Sequence, residues 1–186
     1  MSTYNVVVIG SGPGGYIAAI RCAQLGMKVA IIEKYDVLGG NCLNVGCIPS
    51  KALLDVSEHY QDAEKRFADF GIKVQGLEAD FKRMIDRKSE VVKQNYEGVA
   101  FLMKKNKIDV YFGLGSFVTK NKIAVTNAKG EKQELETEKV IIATGSKPTA
   151  LPFIAIDKKR IITSTEALSL SEIPKNLVII GGGIIG

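Results

Sequence analysis

The chain of 186 residues carries 25 Lys and Arg against 20 Asp and Glu, a formal net charge of +5. This modest charge, without a basic or aromatic stripe, argues against a nucleic-acid partner. A hydrophobic content of 46% suffices for one good core, whereas no apolar run reaches the roughly 18 to 20 residues of a membrane-spanning helix. We therefore expect a folded protein without a nucleic-acid or membrane partner, and no leader is visible ahead of the first predicted strand.

The N-terminal residues have the pattern of a dinucleotide-binding unit. An apolar, β-branched strand is predicted over Tyr4–Ile9, followed at once by GSGPGG at residues 10–15 and by a helix over Tyr16–Leu25. In such a G-x-G-x-x-G loop the first glycine permits a tight turn, the second lets the backbone approach a pyrophosphate, and the third allows close helix packing. The helix N-terminus then receives the phosphate charge.

A second strand, Lys28–Ile32, ends in Glu33, 18 residues after Gly15. A carboxylate at this point can accept hydrogen bonds from both hydroxyls of an adenosine ribose, and it would repel a 2′-phosphate. The alternative is that the glycines form an ordinary turn and that Glu33 is a solvated strand end.

The next segment, GGNCLNVGCIPSK at residues 39–51, contains two of the three cysteines. A regular helix would place Cys42 and Cys47 apart and on different faces, so a redox pair requires an irregular backbone, which Gly46 permits. The pattern predicts a redox pair that carries out thiol–disulfide exchange. The alternative is a pair of buried structural thiols.

Pro49 predicts a helix that starts over Pro49–Leu54, because a proline costs no hydrogen bond in a first turn. Cys47 would lie just before this helix. The positive end of the helix dipole, with Lys51 one turn further on, should lower the Cys47 thiol pKa and favour a reactive thiolate.

Other candidate ligands are few. A zinc site would have only Cys22 and His59 to add to the two cysteines, so no metal site is predicted. Cys22 is expected to be a buried, unreactive thiol in the first helix, and His59 an exposed helix residue rather than an acid–base catalyst.

The middle of the chain predicts one long helix and a series of strands. Ala79–Lys105 has the spacing of an amphipathic scaffold helix. Short strands are predicted at Ile108–Phe112, Gly115–Val118, Lys122–Thr126 and Glu134–Thr137. The apolar run Val140–Ser146 then predicts a buried parallel strand that breaks at its Thr-Gly pair.

The last part of the chain predicts a connection and a second nucleotide loop. Pro148–Lys159 resembles an interdomain connection, and a strand at Leu177–Ile180 leads into GGGIIG at residues 181–186. Because the helix that should follow is absent, we expect the chain to be part of a longer protein and this loop to be a frayed, non-functional end.

The glycine loop, Glu33 and the cysteine segment together resemble the N-terminal part of the pyridine nucleotide-disulfide oxidoreductases, over nearly the whole chain. Within that family the run CLNVGCIPSK is typical of the enzymes that act on lipoamide. Glutathione and mercuric reductases usually carry Val at the positions of Leu43 and Ile48, and the glutathione type more often has Lys at Ser50. Asn41 stands where the family most often has Thr.

The resemblance implies an α/β fold, a Rossmann-like FAD-binding domain with a central parallel sheet and an inserted β-meander. This domain would cover residues 1–150, and residues 151–186 would form the connection and the truncated start of an NAD-binding domain. FAD is the implied cofactor, and NAD is the implied second nucleotide of the full-length enzyme.

The resemblance also assigns roles to residues. Cys47 would face the flavin as the charge-transfer thiol, Cys42 would exchange with the incoming dithiol, and Lys51 would stabilise negative charge on the reduced ring. Gly115 would contact the adenine. The implied cofactor-binding residues are Gly10, Gly12, Pro13, Gly14, Gly15, Glu33, Lys34, Gly40, Asn41, Cys42, Cys47, Lys51, Gly115, Thr144, Gly145 and Ser146, with Gly181, Gly183 and Gly186 in the second loop.

In the full-length enzyme, dihydrolipoyl groups of a lipoyl-bearing acyltransferase in a 2-oxo acid dehydrogenase complex would reduce the Cys42–Cys47 disulfide. Electrons would pass through FAD to NAD. A homodimer and a bacterial cytoplasmic location are expected, since a catalytic disulfide suits a reducing compartment; the isolated chain is expected to be inactive. The alternatives are a glutathione- or mercuric-type reductase, and a non-catalytic FAD-binding module with inert cysteines.

Overall fold

In the computed structural model, which describes residues 2–149 and 151–186, the chain is an α/β protein. The strands are β1 (Ser2–Ile9), β2 (Val29–Glu33), β3 (Asp109–Phe112), β4 (Leu114–Thr119), β5 (Lys122–Thr126) and β6 (Lys132–Ile142), and the helices are α1 (Pro13–Gln24), α2 (Gly40–Val45), α3 (Cys47–Lys65), α4 (Phe81–Lys105) and α5 (Ser164–Ala167), with a 3-10 helix at Phe67–Phe70. Ala150, where the predicted flavin domain ends, lies outside the described residues.

The six strands form one sheet in the order β3-β2-β1-β6-β5-β4. The four strands β3, β2, β1 and β6 are parallel, and β5 and β4 continue the sheet in antiparallel order. This arrangement confirms the predicted Rossmann-like class, a parallel centre with a meander at one side.

Three predicted strands are present, but they differ from the prediction in their bounds or their pairing. Glu134–Thr137 and Val140–Ser146 are predicted as separate strands, but β6 is continuous because it pairs with β1 from Ser2↔Leu135 to Ile9↔Ile142. It also ends at Ile142, which is exposed, so the prediction of a buried strand that continues to Ser146 was wrong. Ile108–Phe112 is predicted as the first in a series of short strands, but as β3 it pairs with β2 and belongs to the parallel part of the sheet.

The strand predicted at Leu177–Ile180 is absent. Its four side chains are exposed, and no strand in the described part of the chain pairs with it. An apolar run forms a strand only where a neighbouring strand takes up its backbone hydrogen bonds, so this prediction was wrong here.

An apolar cluster in the core of the sheet is shared by the parallel strands and the meander. Its buried members are Tyr4, Val7, Ile9, Ala30, Ile32, Ile123, Val125 and Leu135. Residues from β5 and β6 thus pack with the last residues of β1 and β2, which supports the loops that leave these two strands.

The chain divides into two compact units. The first comprises the residues up to Asn44 together with Lys93–Lys147, and it contains the whole sheet and α1. The second comprises Val45–Val92 and Pro148–Gly186, where an Arg87 Nη2 to Asp55 Oδ2 ion pair of 3.6 Å joins α4 to α3. None of the helices in the described residues is long and apolar enough to span a membrane.

A polar cluster lies at the start of β1. Tyr4 is only 2% exposed, and its hydroxyl donates to Asp109 Oδ2 at 2.8 Å and lies 2.7 Å from the Tyr111 hydroxyl. Burial above all, and then the hydrogen bonds to Tyr111 and Asp109, raise the pKa of Tyr4 far above its ordinary value. These contacts join β1 to β3 across the intervening strand β2.

This cluster predicts a loss of stability at alkaline pH. Because the pKa of Tyr4 is raised in the folded chain, its contribution to the free energy of unfolding is fully present below the unfolded tyrosine pKa of about 10. Above that pH the contribution declines by about 1.4 kcal/mol per pH unit. Tyr4→Phe should flatten the pH profile of the unfolding free energy above pH 10, measured by urea denaturation. Tyr35→Phe, at an exposed position, should retain the decline, and an unchanged profile in Tyr4→Phe would contradict the assignment.

Candidate dinucleotide and disulfide site

The carboxyl ends of β1 and β6 lie side by side. The Ala143 N–H donates to the Ile9 carbonyl at 2.8 Å, and the Gly10 N–H donates to the Ile32 carbonyl, also at 2.8 Å. The strand order reverses between β1 and β6, and open α/β sheets bind ligands at such a switch point. Two predicted segments, 10–15 and 144–146, therefore leave the sheet at the same place.

Backbone contacts at two glycines of the first loop, Gly10 and Gly15, leave no room for a Cβ. Gly10 has a φ of +101°, and a Cβ there would lie 2.2 Å from the Ala143 oxygen. A Cβ on Gly15 would lie 1.8 Å from the Gly10 oxygen. Gly12 caps α1, Pro13 is its first residue, and no acidic side chain occupies its first turn. This helix N-terminus suits an anion.

Glu33 is 5% exposed, so the alternative of a solvated strand end is wrong. Its Oε2 accepts hydrogen bonds from the Ser11 N–H at 2.9 Å and from the Ser11 Oγ at 2.6 Å, and its Oε1 accepts one from the Tyr35 N–H at 3.1 Å. The carboxylate is therefore directed at the glycine loop. Ser11 is a functional residue that the sequence does not reveal, because the loop pattern assigns no role to the residue between its first two glycines.

The segment before α2 crosses this loop at close range. A Cβ on Gly40, whose φ is +61°, would lie 2.5 Å from the Gly12 Cα. The Gly39 N–H donates to the Ser11 carbonyl at 3.1 Å and contacts the Ser11 Oγ at 3.2 Å. Gly40 is needed for this approach of two backbones, whereas a Cβ on Gly39, whose φ is +101°, would instead meet the Leu43 side chain of α2 at 2.5 Å.

Asparagine side chains fix the position of α2. Asn44 Nδ2 donates to the carbonyls of Leu38 and Gly40, at 3.0 and 2.9 Å. Asn41 Nδ2 donates to the Ser146 carbonyl at 2.8 Å. The structure thus brings together two predicted cofactor residues that are 105 positions apart.

Cys42 and Cys47 are both disulfide-bonded, and Cys22 is free. Since the chain has three cysteines, the two bonded ones pair with each other. The backbone between them is irregular as predicted, because α2 ends before Gly46 and α3 begins after it. The helix starts at Cys47, two residues earlier than predicted, with Pro49 buried in its first turn, where its missing N–H costs nothing.

The remaining residues of the predicted flavin site are accessible. Cys42 is half-buried, while Cys47 and Lys51 are exposed and share one face of α3, four residues apart. Lys34 is exposed, with its Nζ 4.6 Å from the centroid of the Tyr35 ring. Their contacts with a flavin stay predictions.

Gly115 and the segment after β6 lie at the same end of the sheet. A Cβ on Gly115 would lie 3.2 Å from Ile9 and 3.4 Å from Ile32, the last apolar residues of β1 and β2. Thr144 and Gly145 are exposed, and Gly145 has a φ of +70°.

The second glycine loop repeats the turn of the first. Gly181 has a φ of +106°, and a Cβ on Gly186 would lie 2.1 Å from the Gly181 oxygen, as one on Gly15 would contact Gly10. A defined turn is therefore present where a frayed end was expected. All six residues of this loop, Gly183 among them, are exposed, and their nucleotide contacts stay predictions.

Cys22 and His59, the other candidate metal ligands, lie on the helices α1 and α3. Cys22 is half-buried rather than buried, near the end of α1. His59 is exposed as predicted, with its Nε2 3.8 Å from Asp55 Oδ1. Within the residues that the structure describes, no three His, Cys, Asp or Glu side chains are grouped as metal ligands.

The family model described as pyridine nucleotide-disulphide oxidoreductase matches residues 4–186. The chain belongs to this family, which confirms the predicted resemblance. It is 50% identical over 184 residues to dihydrolipoyl dehydrogenase of Trypanosoma brucei brucei, covering 98% of this chain and 38% of that protein. It is also 50% identical over 182 residues to mitochondrial dihydrolipoyl dehydrogenase of Pisum sativum, covering 98% and 36%.

A solved structure shows the same fold. The Cu(II) complex of the HOCl-induced flavoprotein disulfide reductase RclA from Escherichia coli superposes with a TM-score of 0.76 at 32% identity, over 94% of this chain and 36% of that one. The chain thus spans little more than a third of the length of these relatives.

The close approach at Gly15 predicts opposite effects for two neighbouring substitutions. Gly15→Ala should destabilise the chain by about 1–3 kcal/mol, because its Cβ collides with the Gly10 carbonyl. Gly14→Ala, whose Cβ would meet nothing within 4 Å, should stabilise α1 by up to about 1 kcal/mol. Urea denaturation of both variants checks this, and equal effects would show that the loop is open in solution.

Proposed function

We propose that this chain is the FAD-binding part of a dihydrolipoyl dehydrogenase, which oxidises protein-bound dihydrolipoyl groups through the Cys42–Cys47 disulfide and FAD and reduces NAD. The observation that carries the proposal is the disulfide itself, because Cys42 belongs to a helix whose first residue, Gly40, contacts the first glycine loop. A disulfide next to a dinucleotide-type loop fits the family of pyridine nucleotide-disulphide oxidoreductases, and the 50% identical relatives are named dihydrolipoyl dehydrogenase.

The two cysteines have separate tasks in this reaction. A thiolate of the dihydrolipoyl group attacks the Cys42 sulfur, and Cys47 leaves as a thiolate that the α3 N-terminus stabilises. The second thiol of the substrate then attacks the lipoyl sulfur that is bonded to Cys42 in the mixed disulfide. The oxidised lipoyl disulfide forms, and Cys42 leaves as a thiolate. Two electrons now reside on the cysteine pair. An FAD held at the first glycine loop would supply the two-electron chemistry that links the cysteine pair to NAD, and the overall reaction releases one proton.

The residues around the first loop suit the two phosphates and the ribose of FAD. We assign the phosphates to the N-terminus of α1 and the backbone at Gly12 and Gly40, and the ribose hydroxyls to Glu33. Lys51 follows Cys47 by one turn and would stabilise negative charge on the reduced ring. The other proposed cofactor residues are Gly10, Pro13, Gly14, Gly15, Lys34, Asn41, Gly115, Thr144, Gly145 and Ser146.

The proposal extends to the organisation of the whole protein. Residues 1–150 would form the flavin domain, and residues 151–186 would begin an NAD-binding domain with Gly181, Gly183 and Gly186 at the pyrophosphate. The implied partners are a second copy of the protein and a lipoyl-bearing acyltransferase. We retain the bacterial cytoplasmic location as a proposal, although the Pisum sativum relative is named as mitochondrial.

One observation favours a second candidate function. The RclA structure is named a flavoprotein disulfide reductase, so the same cysteine pair could pass electrons outward, to a disulfide substrate. The two functions differ in the direction of electron flow through the cysteine pair. The test compares the rate of dihydrolipoamide oxidation with the rates of nucleotide-dependent reduction of glutathione disulfide and of Hg²⁺.

Cys42→Ser should abolish dithiol oxidation and leave the flavin in place. We expect NAD-dependent oxidation of dihydrolipoamide by the protein at its natural length to fall by more than about 100-fold, since the attacked sulfur is gone. The flavin absorbance per mole of protein should stay unchanged. The measurement is a steady-state assay together with the visible spectrum.

The matched control is Cys22→Ser, which replaces the free cysteine and should retain the activity. One equivalent of dithiol should also produce a long-wavelength absorbance band in the unaltered protein, and this band should be absent in Cys47→Ser. A Cys42→Ser variant with full activity would support the module with inert cysteines instead.

A further inference from the structure

Ser11 is completely buried and connects three parts of the candidate site. Its N–H and its Oγ both donate to the Glu33 Oε2, at 2.9 and 2.6 Å. The same Oγ accepts a hydrogen bond from the Gly39 N–H at 3.2 Å. Its hydroxyl therefore has one donor and one acceptor partner, which fixes its direction.

These contacts determine how the Glu33 carboxylate is presented. A buried carboxylate must be hydrogen-bonded, and its two oxygens offer about four acceptor positions. Ser11 takes two positions on Oε2, and the Tyr35 N–H takes one on Oε1. The position that remains lies on Oε1, so Ser11 determines which oxygen is offered to a ligand.

We propose that Ser11 is a positioning residue that holds the Glu33 carboxylate so that Oε1 accepts a hydrogen bond from the ribose 2′-hydroxyl in the adenosine half of a dinucleotide. This inference rests on the proposed function, because it requires a flavin dinucleotide at the first loop. Ser11 does not touch the nucleotide itself; it acts through Glu33.

Ser11→Ala is a clean test of the hydroxyl. It removes one hydrogen bond to Oε2 but keeps the backbone N–H that donates to the same oxygen. The Gly39 N–H also keeps a partner, the Ser11 carbonyl at 3.1 Å. The substitution leaves no backbone donor unsatisfied, so we expect a folded protein with a less fixed carboxylate.

The experiment measures flavin affinity with two probes. The flavin-free protein at its natural length is titrated with FAD and with the FAD analogue whose adenosine lacks the 2′-hydroxyl, following flavin fluorescence. In the unaltered protein the analogue should bind about 10- to 100-fold more weakly than FAD, which is the loss expected for one hydrogen bond to a charged group. The quantity compared between variants is this ratio of the two dissociation constants. In Ser11→Ala this ratio should fall by about three- to tenfold, and in Glu33→Gln it should approach one.

Several controls separate positioning from a structural role. Ser89→Ala removes an exposed helix hydroxyl that donates to the Ile85 carbonyl at 2.9 Å, and it should retain the full ratio. General disruption of the fold would weaken both probes equally and leave the ratio unchanged. If Ser11→Ala does not fold, Ser11→Cys, whose thiol is somewhat larger than the hydroxyl and donates only weakly, should show the same reduced ratio.

The experiment distinguishes failure of the proposed function from failure of the Ser11 inference alone. No binding of either probe to the unaltered protein overturns the proposed function and this inference with it. FAD binding with a ratio near one in the unaltered protein overturns the inference alone, because Glu33 then does not contact the ribose. A full ratio in Ser11→Ala or Ser11→Cys also overturns it.

Discussion

Three backbone segments approach one another at the carboxyl end of β1, at distances that no residue with a Cβ would allow. Gly10 lies against Ala143, Gly15 lies against Gly10, and Gly40 lies against Gly12. The turn after β1, the start of α1 and the start of α2 are thereby held in one place. The proposed phosphate site and the helix that carries Cys42 both depend on this packing, which requires glycine on at least one side of each contact.

The buried charge of Glu33 depends on the same packing. A carboxylate that is 5% exposed is tolerated only if hydrogen bonds replace its water, and here backbone donors and the Ser11 hydroxyl supply them. Ser11 can donate because the glycine turn places its N–H and Oγ on one side. The geometry that admits a pyrophosphate thus also orients the group proposed to recognise the adjoining ribose.

Local rules predicted part of this site from the sequence. The glycine pattern, the acidic end of β2 and the break between the cysteines each follow from a constraint on one residue and its neighbours. Ser11 could not be predicted, because its burial arises when the chain returns at Gly39. Likewise β6 is continuous only because β1 pairs along its length, and the apolar run at Leu177–Ile180 stays irregular, since a strand depends on its neighbour as much as on its own sequence.

The short spacing of the cysteines fits a bond that opens and closes in every catalytic cycle. In the chain-entropy account, a disulfide that closes a loop of about six residues constrains the unfolded chain by only about 2 kcal/mol. Longer loops contribute more, so a structural disulfide would gain from joining distant segments. The sheet core instead holds the fold, with Val7, Ile31, Ile123 and Leu135 fully buried in strands that do not contain Cys42 or Cys47. Reduction of the pair therefore removes a local constraint, and the glycine loop and Glu33 keep their positions while the thiols react.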